Sequence, residues 1–237
     1  MEKVAFLAQT CAEFAQCDKN PEKIAWMACH FSPYGTGLSN LPRMLPEGSM
    51  LIVNDRIPIC GHDPKRIAKQ ISEIVSEFSC SAVLLDFQRP GCELTYEVVR
   101  SVIQRLSCPV GVSHLYAAGF SCPVFLPPPD LDVPILSHLA PWDGREIWLE
   151  AALDMAQFTV TENGCTSLPL PYSPPEGNVL RDEKLCCSYR CDIHDDAAVF
   201  TLWRTPEDLG RLLELSAQLG VTRSVGLYQQ LKESPLV

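Results

Sequence analysis

At 237 residues the chain is long enough to bury a sizeable core, and α/β barrels commonly reach this length as one domain, so a single domain over 1–237 is expected. A hydrophobic content of 46% and a mean hydropathy of +0.04 suit strands covered on both faces, and no apolar run reaches the roughly 20 residues of a membrane helix. A net charge of −10 and a pI near 4.9 repel phosphate backbones and anionic lipid, which excludes nucleic acid and membrane from the expected partners.

Residues 1–20 are expected to form a helix with Val4, Leu7, Cys11 and Phe14 on one side, ended by Pro21. Glu2, Gln9 and Glu13 interrupt the apolar patch, which makes a poor secretory signal, and a cytoplasmic location is expected. The twelve cysteines fall mostly singly within strands and helix ends, in the manner of reduced thiols and unlike a disulfide framework. A buried strand over 23–29 then opens into a turn-rich loop carrying His30 and Tyr34. Met50–Val53 is a second strand, ending at Asn54 and Asp55.

Asp63 as N-cap, Pro64 at the first helical position and Ile67, Ile71, Ile74, Val75 and Phe78 at helical spacing define the clearest helix. The stretch Ser81-Ala-Val-Leu-Leu-Asp-Phe-Gln-Arg-Pro-Gly91 follows. Its apolar run ends in a carboxylate and a Pro-Gly stop, as a fully buried parallel strand does. Asp86 then lies at the strand's carboxyl end, where ligands bind in α/β sheets and barrels. A helix over about 94–106 and a strand over 109–113, tipped by His114 and Tyr116, continue a strand–helix alternation that calls for parallel strands joined by right-handed crossovers.

Beyond 121 the pattern loosens. A strand over 122–126 runs into Pro127, Pro128 and Pro129, a short helix covers 131–140, and Trp142 sits in a turn. Glu146–Glu150 reads equally as strand or helix. Residues 157–161 form a better strand ending at Glu162, followed by an irregular Pro-rich excursion over about 166–180. Segments 185–190 and 197–203, the latter ending at Trp203, form a hairpin, Thr205 caps a last helix that exits at Gly220, and 223–228 closes the chain near Tyr228. The fold class expected is α/β, a TIM-like barrel that is irregular or incomplete in its second half.

Asp55, Asp86 and Glu162 therefore stand at strand ends. In a barrel these ends converge, and paired acids there serve glycoside chemistry, one protonating the leaving oxygen while the other attacks or activates water. Asp at strand-to-loop junctions also caps turns without any further role. Asp86, Asp55 and Glu162 are the candidate catalytic residues. Tyr34, His30, Gln88, Arg89, His114, Tyr116, Trp142, Trp203 and Tyr228 are the candidate ligand contacts, flat rings suiting sugar faces as well as cores. The ligand class expected is a small molecule or an oligosaccharide.

Nucleophile-elbow, Walker and dinucleotide fingerprints are missing, and no cofactor is expected. Cys186, Cys187, Cys191 and His194 form a local cluster, but adjacent residues on a strand point to opposite faces, which disfavours zinc. A metal-dependent hydrolase built on His30, Asp86 and His114 lacks the spacings that would support it, and no metal site is expected.

Around Ala82-Val-Leu-Leu-Asp-Phe87 the chain resembles the barrel strand of glycoside hydrolase family 18, the chitinase-like enzymes. The resemblance implies a TIM barrel that cleaves N-acetylglucosamine linkages with an acid and with participation of the substrate's own acetamido group. The family pattern has acids at alternate positions and closes with a glutamate; here Phe87, Gln88, Arg89 and Pro90 follow Asp86. Only Asp86 maps onto it, and Gln88 stands where a family acid would be. A barrel that has lost activity, serving as a binding or interaction module or holding sugar without cutting it, is thus the alternative to a hydrolase.

Overall fold

A computed structural model describes residues 4–15 and 24–236. Eight parallel strands close into a barrel: β1 (Phe6–Gln9), β2 (Ile24–Phe31), β4 (Met50–Asn54), β5 (Ala82–Asp86), β6 (Val110–Ser113), β7 (Val124–Leu126), β8 (Ile147–Ala151) and β14 (Val221–Leu227), with β1 pairing both β14 and β2. The short β3 (Leu38–Ser39) runs back along β2. The fold is the expected TIM-like barrel. All eight barrel strands are present, and the irregularity lies elsewhere. Among the described residues no helix follows β2 or β6, and a second sheet is inserted after β8.

The amino-terminal helix gives way to β1 and a single-turn α1 (Cys11–Phe14), whose Thr10 and Glu13 form a reciprocal capping box; the part of the expected helix beyond Ala15 falls outside the described residues. Helix propensity lost here to the barrel, because Phe6, Leu7, Ala8 and Gln9 are all buried between β14 and β2. The helices expected from periodicity form: α2 (Pro64–Glu77), capped by Asp63, α3 (Glu93–Arg105) and α5 (Pro206–Gln218), capped by Thr205 and Asp208. Their apolar faces cover the outward residues of the strands, such as Leu51, Val83, Leu85, Val112 and Leu149. Alternate residues point inward and make a separate inner cluster of Met50, Ile52, Leu84, Phe125 and Trp148.

Trp148 plugs the barrel axis. Its indole Nε1 donates to Glu146 Oε1 at 3.1 Å, the Arg223 guanidinium lies 4.9 Å from its ring centroid, and Gly111 faces it from β6 with no side chain to intrude. The lower barrel is therefore a packed core, and the cavities at the barrel axis lie at its carboxyl end.

The inserted sheet corrects the expected order of the second half. Strands β9 (Met155–Thr161), β10 (Gly164–Pro169), β11 (Leu180–Asp182), β12 (Cys187–Ile193) and β13 (Ala197–Trp203) form an antiparallel sheet in the order β10-β9-β13-β12-β11. The expected strand ending at Glu162 is β9, outside the barrel, and the expected excursion begins as the edge strand β10. Cys187 and Leu202 of this sheet pack with Leu131, which rises in the loop between β7 and the short α4 (Ile135–Leu139). No helix among the described residues is long and apolar enough to cross a membrane.

Candidate functional site

The inward alternation of β5 that buries Ala82 and Leu84 carries Asp86 to the barrel mouth, level with Asn54 of β4. The same alternation on β8 follows the inward Trp148 with Glu150. Two cavities meet at these residues. The outer, of about 680 Å³, is lined by Asp86, Asn54, Asp55, Arg56, Gln88, Arg89, His30, Asn40, Met27 and the first turn of α1. The inner, of about 60 Å³, lies on the barrel axis and shares Met27, Asn54 and Asp86 with it, adding Glu150 and the apolar Ile52, Leu84, Phe125 and Leu227.

Of the sequence-derived candidates, the structure gathers Asp86, Asp55, His30, Gln88 and Arg89 around the outer cavity. Their tasks differ. Both carboxylate oxygens of the buried Asp55 accept backbone N–H groups, from Gln88 at 3.0 Å and Arg89 at 2.8 Å, while Arg89 Nε donates to the Asp55 carbonyl at 2.9 Å and Arg89 Nη2 to that of Arg56 at 3.1 Å. Asp55 and Arg89 thus clasp the loop after β5 to the loop after β4. That clasp presents Gln88, whose Nε2 donates to Asp86 Oδ1 at 2.5 Å. His30 is held by the Phe31 carbonyl at Nδ1 and by Asn40 at Nε2.

The remaining candidates lie elsewhere. Glu162 occupies the exposed turn between β9 and β10 rather than a barrel rim. Trp203 is buried at the base of β13. Tyr116 is fully buried, its hydroxyl donating to the Arg89 carbonyl and its ring meeting Phe87 and Tyr96 edge to face, so it props the clasp. Trp142 and Tyr228 pack on the outer core, and Tyr34 is 85% exposed. His114 lies partly buried after β6, outside both cavity linings; burial lowers its pKa. Among the described residues no three His, Cys, Asp or Glu side chains gather as a metal would require, so the His30, Asp86 and His114 combination does not assemble, nor does the Cys186, Cys187, Cys191 and His194 cluster.

Glu150 is the residue that sequence reasoning missed. Ile147-Trp-Leu-Glu150 is an apolar run ending in a carboxylate, the same signal that singled out Asp86, but the segment was too short to separate strand from helix. Burial, then the neighbouring charges of Asp86 and Asp154, push its carboxyl up to about 7. Burial also raises Asp86; the Gln88 hydrogen bond opposes this and the Asp55 charge adds to it. The folded state therefore holds the Glu150 proton more tightly than the unfolded chain, whose carboxyl titrates near 4.5, and stability falls as pH rises from about 4.5 to about 7. Glu150→Gln is expected to leave thermal stability unchanged at pH 4. At pH 8 it should stabilise by up to about 3 kcal/mol, since each pKa unit is worth about 1.4 kcal/mol. Melting curves at both pH values check this, and an equal shift at the two would refute it.

A third cavity, of about 510 Å³, is lined by the Pro127–Asp132 loop on one side and on the other by Asp154 and residues of the inserted sheet, Phe158 among them. Asp154 pairs with the fully buried Arg204 at 3.3 Å.

No protein-family model matches the sequence, and no curated protein matches it. Solved structures do match in shape. The spore cortex-lytic enzyme SleL of Bacillus cereus aligns with a TM-score of 0.56 at 10% identity, over 94% of this chain and 70% of that one. The fold is that of the chitinase-like glycoside hydrolases. A chitinase from Chromobacterium violaceum aligns at a TM-score of 0.53 and 8% identity, over 94% of this chain and 93% of that one. A doubly substituted GH18 chitinase from Cycas revoluta, solved in complex with (GlcNAc)4, aligns at 0.55 and 9%, over 93% of each chain. At such identities the likeness is one of fold, and the site has to be argued from its own side chains.

Proposed function

We propose that the barrel mouth binds an oligosaccharide and, as the chain stands, holds it without cleaving it. The observation that carries this is the Gln88–Asp86 hydrogen bond on the wall of the outer cavity. An amide has no proton to give to a leaving glycosidic oxygen, so the group beside Asp86 can orient and bind but cannot act as a general acid. Asp86 offers its remaining acceptor positions to sugar hydroxyls, with Asn54, His30 and Asn40 around it. The oligosaccharide-bound Cycas chitinase, similar in fold, supports the ligand class.

Calorimetric titration with chito-, gluco- and peptidoglycan oligosaccharides tests the proposal. One of these is expected to bind, with no new reducing ends appearing. Asp86→Asn is expected to weaken that binding by about tenfold to a hundredfold, the value of one or two charge-assisted hydrogen bonds, with little change in melting temperature. Failure of all three classes to bind would remove the proposal.

Glu150 favours a second reading. A carboxyl titrating near neutrality beside another acid is the signature of a general acid, and a hydrolase using Glu150 as proton donor would release reducing ends from the unmodified protein. Turnover by the native chain that Glu150→Gln abolishes would establish it in place of the first.

A further inference from the structure

The inserted sheet ends in two edges of opposite character. At one, β11 is three residues long, carries Arg181 and Asp182, and is tied to α5 by the Arg181–Glu207 ion pair at 2.5 Å. Shortness and charge are how a sheet guards its edge against other strands. At the other, β10 is six residues long and exposed along its whole length, and no charged residue occurs from Asn163 to Pro175. Among the described residues only β9 pairs with it, so this edge is unguarded.

Its free groups can be assigned. Leu170 N donates to Met155 O at 2.9 Å, and antiparallel ladders alternate, so Gly164, Thr166 and Leu168 turn their backbone groups to β9 while Cys165, Ser167 and Pro169 turn theirs outward. Pro169 has no N–H to offer. Cys165 and Ser167 thus present two donors and two acceptors. A second β10 lying antiparallel, with a two-fold axis at Thr166, sets Cys165 opposite the partner's Ser167 and satisfies every one of them. Moving the axis to Cys165 sets Ser167 against Asn163, whose N–H is already taken by Thr161 Oγ1 at 3.2 Å, and moving it to Ser167 sets Cys165 against Pro169. Either shift leaves a carbonyl unmatched.

The side chains agree with the Thr166 register. It places Leu168, 57% exposed, across from the partner's Gly164, a position where an added Cβ would meet nothing within 4 Å. The two form a non-hydrogen-bonded pair, the kind whose side chains lie closest, so each leucine covers the other copy's bare glycine. At the axis Thr166 meets its own copy, a favourable cross-strand pair. Glu162 of each chain falls opposite Leu170 and far from its counterpart. With a charge of −10 on each chain, copies can meet only where carboxylates are absent, as they are here.

We infer that the chain forms a two-fold dimer through β10, with the two five-stranded inserts joined into one continuous sheet and the axis at Thr166. The partner is a second copy of this chain, and the dimer does not depend on what the barrel mouth binds.

Sedimentation equilibrium of the full chain from about 5 to about 500 μM is expected to show monomer and dimer in exchange, with a Kd on the order of 10–100 μM, as suits a small interface. Ser167→Pro removes one outward donor and sets a ring on an edge that tolerates proline; it should raise that Kd at least about tenfold with the melting temperature unchanged. Thr166→Cys brings two thiols face to face across the axis. Under oxidised glutathione it should give a disulfide-linked dimer in clear excess over the parent chain and over Leu168→Cys, which faces a glycine. This second readout stands whether or not the proline variant folds. A chain that stays monomeric throughout the range, a dimer that survives Ser167→Pro, or cross-linking by Leu168→Cys as ready as by Thr166→Cys would each overturn the inference.

Discussion

If the mouth binds an oligosaccharide as proposed, Gln88→Glu is expected to turn it into a hydrolase. The substitution is nearly isosteric, and the backbone that presents it is held by Asp55 and Arg89, so the new carboxyl should occupy the place of the present amide beside Asp86. Two carboxyls within hydrogen-bond reach share one proton, which raises the pKa of the pair and keeps a proton available near neutrality. A positioned general acid is worth about 10²- to 10⁴-fold in rate. Release of reducing ends from whichever oligosaccharide binds should therefore rise from background by that order in the variant, and adding Asp86→Asn should remove the gain. A variant that binds as before and releases nothing would show that more than one proton donor separates this site from catalysis.

Gly111→Val should cost about 3 kcal/mol or more, the upper part of the range for overpacking a close-packed core. A Cβ at Gly111 would lie 2.2 Å from Cε3 and 2.4 Å from Cζ3 of Trp148. The indole cannot retreat, because it is fully buried, bonded to Glu146 and covered by Arg223. The backbone at Gly111 is not in the left-handed region, so conformational strain does not enter and the clash stands alone. Trp148→Leu removes the ring that blocks the added methyls; the double variant is expected to recover part of the loss, as denaturant titrations of the four proteins would reveal. Additive losses would mean that Gly111 serves some other purpose.

The barrel was legible where segments were long and periodic. Asp63 with Pro64, and Thr205 with Pro206, announced α2 and α5 through capping chemistry, and the apolar run into Asp86 announced a strand buried on both faces. The amino-terminal strand was not legible, because Val4, Leu7, Cys11 and Phe14 fit a helical stripe while burial on both faces of β1 is a property of the closed barrel alone. Residues 157–161 read correctly as a strand, but single-strand patterns carry no partner, so nothing in them distinguished a barrel stave from the antiparallel insert. The site divided in the same way. Asp86, Gln88 and His30 were read from position along the chain, whereas the roles of Asp55 and Tyr116 as props depend on what lies above them. Glu150 needed the strand assignment of Ile147–Ala151, which only its pairing with β7 and β14 decides.

The inserted sheet leaves and rejoins the barrel at one point: Met155 and Trp203 are register partners, and Arg204 N donates to the Asp154 carbonyl at 3.0 Å. A segment whose two ends already touch imposes almost no closure cost on its host. Its length and surface are accordingly free to drift while the eight staves beneath stay in register. One wall of the cleft can be rewritten without reopening the question of whether the scaffold folds.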